Sequence, residues 1–131
     1  MPCADLAEIA ADKFVALTRR AGAEMADAGG PRDRMLVRHI YDLHAIRGRC
    51  DPKTVRPLIH EIMRDDVEAY GHQYPAYRAD PLAQTLRAVE GLARDIRYAK
   101  AYAEFMRDMV YGEALEFGTA LTSVAAFAEA R

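Results

Sequence analysis

Twice in this chain an aspartate stands directly before a proline at the head of an apolar-periodic run, at Asp51-Pro52 and at Asp80-Pro81. The carboxylate can accept backbone N–H groups that have no partner in a helix's first turn, and proline there gives up a donor the helix does not use. Each pair is therefore a helix start. Gly29-Gly30-Pro31 acts in the opposite sense and ends a helix, because glycine permits a left-handed cap and proline cannot continue the ladder. Between these marks apolar residues recur every three or four positions, and no period-two alternation competes.

The marks predict about five helices. The first runs from near Asp5 to about Ala28, with Leu6, Ile9, Lys13 and Leu17 on its inner stripe and Ala10 and Phe14 beside them. A second spans Asp33 to Arg47 through Leu36, Ile40 and Leu43. A third starts at Pro52, passes Val55, Leu58, Ile59, Ile62 and Val67, and ends by Gly71. His72 to Ala79 reads as a loop interrupted by Pro75. The longest helix is expected from Pro81 to about Met109, with Leu82, Leu86, Val89, Ala93, Ile96 and Ala99 inward. Gly112 then separates a last helix, Glu113 to Glu129, whose stripe is Phe117, Ala120, Leu121, Val124 and Phe127. The expected architecture is an all-α, single-domain bundle covering residues 1–131.

At 131 residues the chain suits one domain and buries roughly two thirds of its unfolded surface. Eighteen basic against twenty acidic side chains leave a formal charge of −2, which gives no general attraction to nucleic acid or an anionic membrane. No run approaches a membrane span, and no basic-then-apolar leader opens the chain. Cys3 and Cys50, the two cysteines, read as reduced thiols in the cytoplasm.

Lys13 is the informative charge. Four residues after Ile9 and four before Leu17, its stem shares the inner face. A buried ammonium needs an anionic partner or a route to water. It is either a lysine snorkelling from a helix edge or a phosphate clamp. Asp42, inside Arg38-His39-Ile40-Tyr41-Asp42-Leu43, is either half of an ordinary Arg38–Asp42 pair or the carboxylate that positions Lys13 or an attacking hydroxyl. Arg87, Arg94, Arg97 and Lys100 form a partial basic strip, and Arg38, Arg94 and Arg97 are the weaker candidates for phosphate or RNA contact, although the interleaved Glu90, Asp95 and Glu104 favour a solvated face for the strip. His39, His44, His60 and His72 have no metal-ligand spacing, so no metal ligand is assigned.

The run Glu8-Ile9-Ala10-Ala11-Asp12-Lys13-Phe14-Val15-Ala16-Leu17, followed by Arg38-His39-Ile40-Tyr41-Asp42-Leu43, resembles the AbiEii-type nucleotidyltransferase toxin family. There a helix reading E-I-x-A-E-K-x-x-A-L precedes an R-D/H-x-Y-D-L segment. Tyr111-Gly112-Glu113-Ala114 with Phe117 also looks like the family's C-terminal helices. The resemblance implies that Lys13 and Asp42 are catalytic, in a reaction moving a nucleotide from a nucleoside triphosphate to RNA with Mg²⁺, beside an antitoxin. The family's Gly-Ser signature and D-x-D metal pair do not occur here, and Asp65-Asp66 cannot stand in for the latter.

The expectation is thus a truncated, C-terminal part or split subunit of such a toxin, inactive alone. It would need Mg²⁺ and nucleoside triphosphate only when completed by an N-terminal core. The alternative is a non-catalytic helical interaction or structural module, homodimeric through an exposed apolar face. A nucleic-acid-binding regulator is a third, weaker reading.

Overall fold

The structure is a computed structural model that describes residues 3–26, 33–108 and 117–129. Those residues form seven α-helices and one 3₁₀ helix, with no strand among them. They are α1 (Cys3–Ala26), η1 (Arg34–Val37), α2 (Arg38–Arg47), α3 (Pro52–Tyr70), α4 (Pro75–Ala79), α5 (Pro81–Arg94), α6 (Ile96–Asp108) and α7 (Phe117–Glu129). The all-α, single-domain bundle stands, with more and shorter helices than the five expected. Gly29-Gly30-Pro31 and the region from Met109 through Gly112 to Glu113 lie outside the described residues.

Aspartate carboxylates start four of these elements. Asp33 accepts the N–H of Met35 at 2.9 Å, Asp51 that of Lys53 at 3.0 Å, and Asp80 that of Ala83 at 3.1 Å. Asp95 accepts the N–H of Arg97 at 3.0 Å. This last cap divides the long helix that periodicity joins. Asp95 is extended, with φ −81° and ψ 109°, and its side chain satisfies a donor freed by the break. Pro75 likewise begins α4 in the segment expected to be a loop, because a proline at the first helical position costs no hydrogen bond. Gly71 joins α3 to α4, and a Cβ there would collide with the Val67 carbonyl and crowd Arg78.

α1 is the central helix. It packs on α3 and α5, and on α2 and η1, while α7 closes over α2, α5 and α3. Phe14, Leu17, Leu36, Ile40, Leu43, Val55, Leu92, Val124 and Phe127 are among the fully buried side chains. On α1 the buried set is Ala7, Ala10, Ala11, Phe14, Val15, Leu17, Thr18 and Ala21. Ile9 is 39 % exposed, so the expected stripe is turned away from it. The Asp95 break also rotates the inner face of the following helix. Tyr98 and Tyr102 are buried there, whereas Ile96 is 71 % exposed and Leu82, on α5, is 46 % exposed.

The expectation of reduced thiols is corrected at Cys50, which is buried and disulfide-bonded. Among the described residues no helix is long and apolar enough to cross a membrane.

Tyr102 packs its ring against Phe117, 5.1 Å between centroids, yet its buried hydroxyl has no partner among the described residues. Burial, with a smaller effect of Tyr41, pushes its pKa up to about 12. Tyr102→Phe keeps the ring and removes the unpaired hydroxyl. We expect it to raise stability by about 1 kcal/mol, read from urea unfolding. A clear loss of stability would show that the hydroxyl has a partner in solution.

Candidate functional site

Lys13, Arg20 and Glu24 follow one another on α1 at intervals of seven and four residues, which places them on one face. Each is met by a group from the chain that follows. The Lys13 ammonium donates to Asp42 Oδ2 on α2 at 2.9 Å, with the two side chains 28 % and 25 % exposed. Arg20 pairs with Asp33 at the start of η1. Glu24 accepts the backbone N–H of Asp33 and the hydroxyl of Tyr98 on α6, each at 2.9 Å. The result is a row of alternating charge across α1, η1, α2 and α6.

A quarter exposure decides what Lys13 can do. It is close enough to solvent to meet a ligand and too enclosed to swing freely. One of its three N–H groups serves Asp42, leaving two for further acceptors. Arg38, 64 % exposed, brings its Nε within 3.9 Å of the same Asp42 oxygen. The bridge thus joins two helices and is more than the local Arg38–Asp42 pair.

His39 lies within the fields of both ion pairs. Its Nδ1 is buried with no partner among the described residues. Burial lowers its pKa from 6.5, Lys13 and Arg20 lower it further, and Asp42 and Asp33 oppose them. The neutral form of the imidazole is therefore favoured beside the bridge.

The basic strip on the long helix is divided. Arg97 is gripped by Asp95 at 3.0 and 2.8 Å, whereas Arg94 ends α5 on the other side of the break, exposed. Arg97, Lys100 and Glu104 line a cleft of about 270 Å³ that also touches Glu24, Asp33 and Tyr98. The other histidines stand apart: His44 Nδ1 is 2.7 Å from Ser123 Oγ, and His60 and His72 are exposed.

A family model described as "Nucleotidyl transferase AbiEii toxin, Type IV TA system" matches residues 1–128. The chain belongs to the AbiEii nucleotidyltransferase-toxin family. No curated protein and no solved structure gives a match.

The AbiEii match overturns the expectation of a severed C-terminal part or split subunit. It runs along nearly the whole chain, so family membership is not a property of one fragment. The region of Tyr111-Gly112-Glu113-Ala114 lies outside the described residues.

Magnesium, which the resemblance implies for the full reaction, needs several convergent oxygen donors. Among the described residues no three His, Cys, Asp or Glu side chains converge. Asp42 is engaged by Lys13, and Asp66 turns inward to Arg19 and Tyr77 while its neighbour Asp65 is exposed. Among the described residues this set does not fit a metal pair.

Arg20, Glu24, Asp33, Tyr98 and His39 were not singled out from sequence. Arg20 and Glu24 carried a usable signal, since they extend the helical face that begins at Lys13. The His39 environment carried none, because it depends on the packing of three elements.

The direction of the His39 shift fixes a pH dependence. The folded protein keeps the ring neutral while the unfolded chain takes up a proton near pH 6.5, so unfolding binds protons. The stability His39 contributes is present above that pH and is lost as pH falls toward its folded value. Folding stability measured between about pH 5 and about pH 7 should rise more steeply in the wild type than in His39→Gln. Equal slopes, or an NMR titration of His39 above 6.5, would contradict the assignment.

Proposed function

We propose that this AbiEii-family chain binds the phosphates of a nucleoside triphosphate, with Lys13 as the clamp and Asp42 as the group that positions it. The observation that carries this reading is the 2.9 Å bridge between α1 and α2, partly exposed and flanked by Arg38. An ammonium tethered by one carboxylate keeps its charge and loses freedom, so little reorganisation is needed when an anion arrives. Arg38 can then add a second cationic contact.

The reaction this clamp would serve is the one the resemblance implies: nucleotide transfer to RNA by a toxin held in check by an antitoxin. Arg94 and Arg97 remain secondary candidates for RNA phosphate, Arg94 the more available because Asp95 already holds Arg97. A cytoplasmic location belongs to the same reading, because nucleoside triphosphates and RNA occur there. The Cys50 disulfide is the feature that pulls against it.

The alternative of a non-catalytic, self-associating module needs a continuous apolar face. Among the described residues the large exposed apolar side chains are one each on α1, η1, α3, α5 and α6: Ile9, Met35, Tyr70, Leu82 and Ile96. Such residues are ordinary on monomer surfaces, and the charged row is the stronger lead.

Titration calorimetry with ATP, GTP, CTP and UTP tests the clamp. A hydrogen bond from a charged group contributes about 1.5–3 kcal/mol, so Lys13→Ala should weaken binding by roughly 10- to 100-fold. Asp42→Asn should weaken it less, because the ammonium remains and only its position is relaxed. Unchanged affinity in Lys13→Ala, with circular dichroism showing an intact fold, would end the proposal.

A further inference from the structure

Gly22 lies nine residues beyond Lys13 on α1, about two and a half turns, so the two positions face opposite ways. On the Gly22 side, α1, α4, α5 and the turn after α3 enclose a separate pocket of about 180 Å³. Its origin is local. Gly22, Ala23 and Ala26 give α1 a wall without bulky side chains, and Tyr74, Pro75 and Ala76 line the pocket from the start of α4.

The pocket's charges are already satisfied. Arg19 donates from Nε to the Asp66 carboxylate at 3.0 Å and lies 3.9 Å from the centre of the Tyr70 ring. Tyr77 donates its hydroxyl to Asp66 Oδ2 at 2.7 Å. The threonine hydroxyls are spent as well: Thr18 donates to the Phe14 carbonyl at 3.0 Å and Thr85 to the Pro81 carbonyl at 2.8 Å. What remains uncommitted is the pair of carboxamides at the pocket's rim, Gln73 exposed and Gln84 half-buried, neither side chain hydrogen-bonded to another described residue. Each offers a donor and an acceptor side by side.

Flat apolar walls, no net charge and two amide edges describe a specific ligand chemistry. We propose that this pocket binds a small, neutral, planar heteroaromatic ring whose edge carries an adjacent donor and acceptor. The ring lies against the Gly22–Ala26 wall and Gln73 and Gln84 read its edge. The volume suits one ring or two fused rings, being below the roughly 300–1,000 Å³ of sites for larger ligands. Uncompensated anions are disfavoured, because Arg19 already has its carboxylate. This site is independent of the Lys13 clamp, and neither depends on the other being correct.

Saturation-transfer NMR on the full chain, with uracil, adenine and nicotinamide against indole, tests the proposal. Indole has a similar flat body but one donor and no edge acceptor. The amide-edged rings should bind, and indole should bind about tenfold more weakly, as the loss of a hydrogen-bond pair predicts. A Cβ at Gly22 meets only Ala88 Cβ at 3.9 Å, ordinary contact, so Gly22→Leu can fill the pocket from α1. Ala76→Leu fills it from α4 and serves if Gly22→Leu does not fold. Either folded variant should abolish ring binding, and Lys13→Ala should leave it unchanged. The proposal is overturned if none of the three rings binds, if indole binds as well as they do, or if a folded filled variant still binds them.

Discussion

A helix placed at the centre of a bundle must bury its polar groups or have them answered, and α1 has them answered on both sides. Lys13 meets Asp42 from α2, Arg20 meets Asp33 from η1, and Arg19 meets Asp66 from α3. Each partner arrives from a different element. Partly exposed pairs such as Lys13–Asp42 contribute little net stability, about 0–1 kcal/mol. Their larger effect is on uniqueness, since another docking of α1 would leave a carboxylate facing an apolar wall. The Arg19–Asp66 pair is the most enclosed, and Tyr77 and Tyr70 supply the further contacts that such a pair needs.

Much of the fold was legible because its punctuation is chemical. Asp51-Pro52 and Asp80-Pro81 begin helices as the residues require. The reading failed where one residue type has two uses. Asp95 looks like a polar position in a continuing helix, yet it caps a new one. Pro75 looks like an interruption, yet it starts α4. Once Asp95 breaks the helix, the phase of its apolar face changes, which is why Ile96 is exposed and Tyr98 buried. On α1, alanines as well as large side chains form the buried face, and a pattern weighted toward isoleucine and leucine aims it wrongly at Ile9.

The candidate site was legible to the extent of one pair. Lys13 and Asp42 are 29 positions apart and sit on different helices, and their meeting at 2.9 Å follows from the order and facing of those helices. The neutral setting of His39 was not legible, because burial leads the pKa shift and burial is a property of the assembled bundle. The reading as a severed fragment gave weight to two short signatures the sequence lacks, whereas the family match draws on 1–128 together.

Because its charges are answered from separate directions, α1 behaves as a keystone rather than a hinge. Withdrawing it by even one turn would uncover acids on α2, α3 and η1 at once. On the Lys13 face the arm of Arg38 is the charged group that these contacts leave mostly in solvent. For the proposed phosphate clamp this means that the ammonium is already held in place by Asp42 before an anion arrives.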